Sequence, residues 1–130
     1  MTDPTPYTVG VADDIAHRLG HLAELVSQAP PHEAAQALAR VLDCDTGVLG
    51  RMTALLATGS HLAREHAEAG RVRPEVCLAL GRAANDLSDV ALDLDEHTDG
   101  LAQLAQAPTT TAHGPVPKPV ASAMVVRRRR

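Results

Sequence analysis

The chain has 130 residues and a mass of 13.6 kDa, which is the size of one domain. Hydrophobic residues make up 45% of the sequence but aromatic residues only 1%, so a core must consist of leucine, valine and alanine, which favours helices over a β-sandwich. The net charge is −4, and the sequence shows neither a leader-like N-terminus nor an apolar run of about 18 residues, so we expect a cytoplasmic protein without a membrane span.

Composition divides the chain into three parts. Residues 1–9 contain two prolines and no periodic pattern, which predicts a flexible N-terminal arm. Residues 10–106 carry helical periodicities and predict a single helical bundle domain. Residues 107–130 contain prolines, lack periodicity and end in four arginines, which predicts a disordered C-terminal tail. Cys44 and Cys77 have no metal-type spacing, and we expect both to be free thiols.

Two helices are predicted in the first third of the chain. From residue 11 to about residue 27, apolar residues recur at intervals of three and four and therefore share one helical face. Pro30 ends this helix, and Pro31 suits the first position of a second helix that runs to about residue 43. The residues expected to face inward are Val11, Ile15, Leu19, Leu22 and Val26 in the first helix and Ala34, Leu38, Val41 and Leu42 in the second.

A third helix is predicted from about residue 46 to residue 69. Asp45 or Thr46 can cap its first amides, and Gly70 suits its C-terminal stop. The inward set is Leu49, Met52, Leu56, Gly59, Ala63 and His66, flanked by Val48, Leu55 and Leu62.

The fourth helix, from Pro74 to about residue 106, has the strongest periodicity in the sequence. Its apolar residues step alternately by four and three, which is the pattern of coiled-coil-like packing in bundles. Either it overhangs the third helix or Asp99–Gly100 breaks it, and we expect a kink or fraying near Gly100. The seam is Val76, Leu80, Ala83, Leu87, Val90, Leu94, His97, Leu101 and Leu104.

These elements predict an all-α fold: a three- or four-helix bundle built on a long antiparallel helical hairpin, followed by the disordered tail. Charge is distributed unevenly between the two parts. All sixteen acidic residues precede residue 107, against seven of the arginines, so the body carries −9 and the tail +5. Asp86, Asp89, Asp93 and Glu96 form one outward stripe on the fourth helix.

Candidate chemistry is sparse. His17 and His21 are spaced for two ligands on one helix, but they face away from its apolar residues, so we expect no metal site there. The segment from His61 to His66 has the wrong spacing for a zinc-protease motif. No inward Glu-x-x-His pair, calcium loop, phosphate loop or nucleophile–base spacing is present. We therefore expect no enzymatic activity, no cofactor and no small-molecule substrate.

The remaining features favour binding to macromolecules. Leu78, Asn85 and Leu92 lie away from the seam of the fourth helix, and we interpret them as a partner or dimer surface. The sequence thus predicts a non-enzymatic interaction or scaffold protein, with a protein partner or itself as a homodimer. The alternative is an accessory nucleic-acid-binding protein whose tail binds polyanions through Lys118, Arg127, Arg128, Arg129 and Arg130. A solubilising role explains the same tail, and so does folding back onto the acidic stripe.

Overall fold

A computed structural model describes residues 4–107, and within these residues it consists of α-helices without a strand. The prediction of an all-α fold is thereby confirmed, while the predicted tail beyond residue 107 lies outside the described residues. The five helices are α1 (Tyr7–Gln28), α2 (Pro31–Leu42), α3 (Val48–Glu68), α4 (Pro74–Asp95) and α5 (Thr98–Gln106).

Helix α1 begins four residues earlier than the periodicity predicts. The amides of Val9 and Gly10 both donate to the carbonyl of Pro6, at 3.0 and 3.1 Å, so the first turn forms ahead of Val11. Tyr7 lies four residues before Val11 and continues its face, but the prolines at positions 4 and 6 marked this stretch as non-helical, whereas Pro6 directly precedes the helix. The segment predicted as an arm over residues 1–9 therefore includes the first turn of α1.

The prolines and Gly70 act as the sequence predicts. Pro31 and Pro74 occupy the first positions of α2 and α4. Gly70 follows α3 with a φ of +70°, a left-handed conformation that favours glycine. Its amide donates to Ala67 at 3.0 Å, and the amide of Arg71 donates to His66 at 2.8 Å, which closes α3 with a Schellman motif.

Helices α3 and α4 form the predicted antiparallel hairpin and make the most extensive helix contact of the fold. The Ser60 hydroxyl donates to the carbonyl of Cys77 across the hairpin, at 3.2 Å. A Cβ added at Gly81 would lie 3.3 Å from the Ser60 hydroxyl, so the two helices cross on small side chains. In this way, residues near 60 lie level with residues near 80.

Helices α2 and α5 continue the hairpin beyond the far end of α3 and α4. They form the second most extensive contact, and the Gln36 amide donates to the carbonyl of Ala105 at 3.4 Å. In both helix pairs, two residues that lie opposite each other have numbers that add up to about 140. The register of the α3–α4 hairpin therefore continues through α2 and α5. One path thus runs through α2 and α3, and the returning path runs through α4 and α5.

Both paths break at the same level. The outgoing path turns at residues 43–47, and the returning path is interrupted at Glu96–His97, three residues before Gly100. The Thr98 hydroxyl donates to the carbonyl of Asp95 at 2.8 Å at this break. The sequence left open whether the fourth helix overhangs or breaks; it breaks, and the continuation α5 packs on α2.

Asp43 holds the turn between α2 and α3. Its Oδ1 accepts the amides of Asp45, Thr46 and Gly47 at 3.0, 2.6 and 3.2 Å, together with the Thr46 hydroxyl at 3.2 Å. The expected capping by Asp45 or Thr46 is wrong, because Asp43 accepts these bonds and Gly47 precedes α3 without a side-chain cap. The same bonds, the one from the Thr46 amide foremost, lower the pKa of Asp43 below its ordinary value of 3.8.

We expect Asp43→Ala to lower the midpoint of thermal unfolding at pH 7 by about 5 °C, because three turn amides lose their acceptor. The lowered pKa means that the carboxylate stabilises the fold above pH 3.8 and that this contribution disappears as the pH falls through the lowered pKa. The difference between wild type and variant, measured by circular dichroism, should therefore shrink in acid. Asp43→Asn keeps an acceptor oxygen and serves as the control, and an equal difference at all pH values would contradict the assignment.

Candidate interaction surface

The interior of the described chain consists of small side chains. The buried hydrophobic residues are Ala35, Ala63, Ala84 and Ala91, and no large side chain among the described residues is fully buried. Thirteen large hydrophobic side chains remain exposed, and every described helix contributes at least one. Of the residues expected to face inward, Ala63 is buried; Leu19, Leu56 and Leu80 are half-buried, and Ile15, Leu38 and Val90 are exposed.

The α3–α4 hairpin has two long sides, and Leu78, Asn85 and Leu92 lie on one of them. Leu78 and Leu92 are 60% and 59% exposed, and Asn85 is exposed between them. Leu78 and Asn85 line a shallow depression together with polar or charged residues from both helices, including Ser60, Arg64 and Arg82. We call this side, defined by Leu78, Asn85, Leu92, Ser60, Arg64 and Arg82, the polar flank.

The opposite side of the hairpin is apolar. At about 100° per residue, Leu55 and Leu62 of α3 point away from Ser60 and Arg64, and Val76 and Val90 of α4 point away from Asn85. These four side chains are 61%, 54%, 43% and 47% exposed, in that order. Leu80, Leu87 and Leu94 are half-buried beside them. We call this side, defined by Leu55, Leu62, Val76 and Val90, the apolar flank.

The acidic stripe lies on the outer surface of the hairpin. Asp86, Asp89, Asp93 and Glu96 are all exposed, opposite the surface of α4 that packs on α3. Among residues 4–107, the one ion pair joins Arg73 Nε and Glu75 Oε2 at 3.9 Å, at the other end of α4 and on the surface. The stripe thus has no basic partner within the described part of the chain.

Helix α1 contacts the remainder of the fold chiefly through α2, and only slightly. Its apolar face is largely open, since Val11 and Ile15 are exposed and Leu22 and Val26 are half-buried. No residue of α1 is buried. The first predicted helix therefore exists, but within the described structure it packs on the remainder of the fold only slightly.

No titratable side chain is buried in the described structure. His17 and His21 line a shallow surface depression with Glu24, and all three are exposed. Residues 4–107 contain no group of three or more His, Cys, Asp or Glu placed to hold a metal ion. Cys44 and Cys77 are free thiols, and Asp45 raises the pKa of Cys44, aided by partial burial and by Asp95. A raised pKa keeps this thiol protonated and weakly nucleophilic.

Comparison of the chain with protein-family models, with curated proteins and with solved structures finds no match. No described helix combines the length and apolar content that crossing a bilayer requires.

The sequence located one flank and missed the other. It singled out Leu78, Asn85 and Leu92, and the structure places them together on the polar flank. It assigned Val76 and Val90 to the interior of the bundle, whereas both are exposed on the apolar flank. The small residues between the leucines, alanine and glycine, were the available signal for this flank. Small residues allow two helices to pack closely, which leaves the larger side chains beside the contact.

Proposed function

We propose that this chain is a non-enzymatic interaction or scaffold protein that self-associates through its helical hairpin. The observation that carries the proposal is the contrast between a buried set of four alanines and thirteen exposed large hydrophobic side chains within the described residues. Single exposed leucines are ordinary on a protein surface, but contiguous apolar surface typically marks an interaction site.

Energetics supports this proposal. Apolar burial stabilises a fold by about 25 cal/mol per Å², and alanine contributes little area to bury. A helical domain of this size needs the burial of large side chains to balance its conformational entropy. Association is a direct way to supply that burial, so we propose that the flanks of the hairpin serve binding rather than catalysis.

The two flanks suit two different contacts. The polar flank combines exposed leucines with Arg64, Arg82 and Asn85, the mixed chemistry of a partner surface that is also stable in water. We propose this flank, with Leu78, Asn85 and Leu92, as the site for a protein partner. A scaffold requires such a second surface in addition to the one that joins its own copies.

Sedimentation velocity of the full chain over about a hundredfold range of concentration tests the self-association. We expect a species heavier than the 13.6 kDa monomer whose fraction rises with concentration. A single monomeric species at all concentrations, with the helical content retained, would remove self-association from the proposal.

A second candidate function is polyanion binding by the tail. The charge pattern favours it, since Lys118, Arg127, Arg128, Arg129 and Arg130 give +5 to a segment that follows a body of −9. Each arginine can neutralise about one phosphate, which gives weak binding that weakens further with salt. These residues lie outside the described structure, so the proposal rests on the sequence.

Deletion of residues 120–130 should abolish a mobility shift of duplex DNA that the full chain produces at low salt. The expected shift fades as the salt concentration rises, because counterion release drives the binding. A variant with Arg127 to Arg130 replaced by glutamine keeps the length of the tail and is the matched control. Absence of a shift with the full chain at low salt would exclude this function.

A further inference from the structure

We infer that two copies of the chain associate through the apolar flank, pairing their α3–α4 hairpins into a four-helix bundle and leaving the polar flank outside. This inference rests on the proposed self-association and specifies its surface. It follows from what the contacts within residues 4–107 leave uncovered, from the reach of α1, from the size of the flank and from the placement of charge.

The contact within one hairpin uses only part of the heptad pattern, since Leu80 lies close to Gly59 of α3 while other seam residues of α4 remain exposed. Ala84 and Ala91 are buried on α4, whereas Val76 and Val90 are exposed beside them. On α3, Ala63 is buried and Leu62 is exposed. The alternating steps of four and three therefore describe a face that the contact between α3 and α4 covers only in part. Such a pattern is typical of helices that pack on further helices.

Helix α1 of the same chain is too short to cover the whole of this flank. It has 22 residues and is about 33 Å long, and it is joined to the start of α2, which has 12 residues and is about 18 Å long. Folded back along α2, it would extend about 15 Å beyond α2 and reach no further than the first half of α3. Leu62 and Val76 lie beyond that reach, near the Gly70 end of the hairpin.

The size of the flank matches a stable homodimer. Helices α3 and α4 have 21 and 22 residues, hence a length of about 32 Å, and two adjacent helices are about 20 Å wide. The footprint is about 600–800 Å², near the roughly 800 Å² per partner of a specific interface. The hairpin register places Leu62 level with Val76, and half-buried Leu80 and Leu87 lie between this pair and the level of Leu55 and Val90. An isologous contact requires this flank to pack on its own copy.

The placement of charge is compatible with a second copy at this flank. The four acids of the stripe lie on the outer surface of the hairpin, and exposed Arg51, one turn before Leu55 on α3, is a basic residue beside the flank. Two bodies of net charge −9 can therefore approach through this flank while their acidic stripes stay apart.

The test compares one glutamate on each flank in the full-length chain. Leu62→Glu should raise the dimer dissociation constant at least about a hundredfold, because a two-fold contact would bury two carboxylates without partners. Leu78→Glu is the matched control, since Leu78 is about as exposed and lies on the opposite flank. Its dissociation constant should stay within about twofold of wild type. Sedimentation gives the constants, and circular dichroism verifies the helical content of each variant.

A variant that loses its helices is replaced by a milder pair. Leu62→Ala should weaken the dimer by about tenfold while Leu78→Ala leaves it unchanged. Dissociation by Leu78→Glu, alone or together with Leu62→Glu, overturns the assignment to the apolar flank and leaves self-association intact. Persistence of the dimer in both glutamate variants overturns it equally. A helical wild-type chain that is monomeric at every concentration overturns both the inference and the proposed self-association.

Discussion

Gly50→Ala is expected to lower the free energy of unfolding by about 2 kcal/mol, although alanine is the better helix former. Gly50 lies in the first turn of α3, where a Cβ would overlap the backbone carbonyl of Cys44. It would also lie 3.1 Å from the amide nitrogen of Asp45. This backbone cannot yield easily, because Asp43 binds the amides of the same turn. The close approach therefore reverses the sign expected from helix propensity.

Gly20→Ala is the matched control for that effect. Gly20 lies inside α1, and a Cβ there would meet nothing within 4 Å. Its replacement should stabilise the helix by up to about 1 kcal/mol, as intrinsic propensity predicts. Urea unfolding followed by circular dichroism measures both variants. If Gly50→Ala were as stabilising as Gly20→Ala, α3 would not pack closely on the turn that precedes it.

Local signals in the sequence account for most of the secondary structure. The predicted roles are found for Pro31, Gly70 and Pro74. Each of these residues acts through its own backbone chemistry and needs no tertiary contact. The hairpin of α3 and α4 follows from them, since a short connection between two long helices makes the helices antiparallel. These features could be predicted because each depends on a few neighbouring residues.

The break at Glu96–His97 has a different origin, and the sequence predicted its position only approximately. Gly100 carried the local signal, yet it lies inside α5, where its amide donates to the carbonyl of His97 at 3.2 Å. The break is level with the turn at residues 43–47, on the other path of the hairpin. Its position thus depends on where the opposing helix ends, which is a tertiary constraint that single-helix periodicity does not contain.

The burial of Val76 and Val90 was also predicted wrongly, for a related reason. Periodicity identifies which residues share a face but does not say how much of that face a neighbouring helix covers. In the structure α4 packs on α3 through Ala84 and Ala91, with Leu80 close to Gly59, because small side chains allow close approach. Val76 and Val90 remain exposed within the described residues, consistent with a contact between chains.

Thermal unfolding of the full chain should depend on its concentration if the apolar flank joins two copies. Each tenfold increase should stabilise the dimer by about 1.4 kcal/mol at a given temperature. The unfolding entropy is about 2.1 cal/mol/K per residue, summed over both chains of the dimer. The midpoint of thermal unfolding should therefore rise by about 3 °C per tenfold increase in concentration. Differential scanning calorimetry over about a hundredfold range would then show a shift of about 6 °C.

The variants of the two flanks distinguish this effect from nonspecific association. Leu62→Glu should have a lower midpoint that no longer changes with concentration, because its unfolding would involve one chain only. Leu78→Glu should keep the wild-type slope. A concentration-independent midpoint for a helical wild-type chain would mean that the four buried alanines and the half-buried leucines suffice to stabilise one copy. If the wild-type midpoint instead rises by about 3 °C per tenfold increase in concentration and the Leu62→Glu midpoint does not change, folding and association of this chain are coupled.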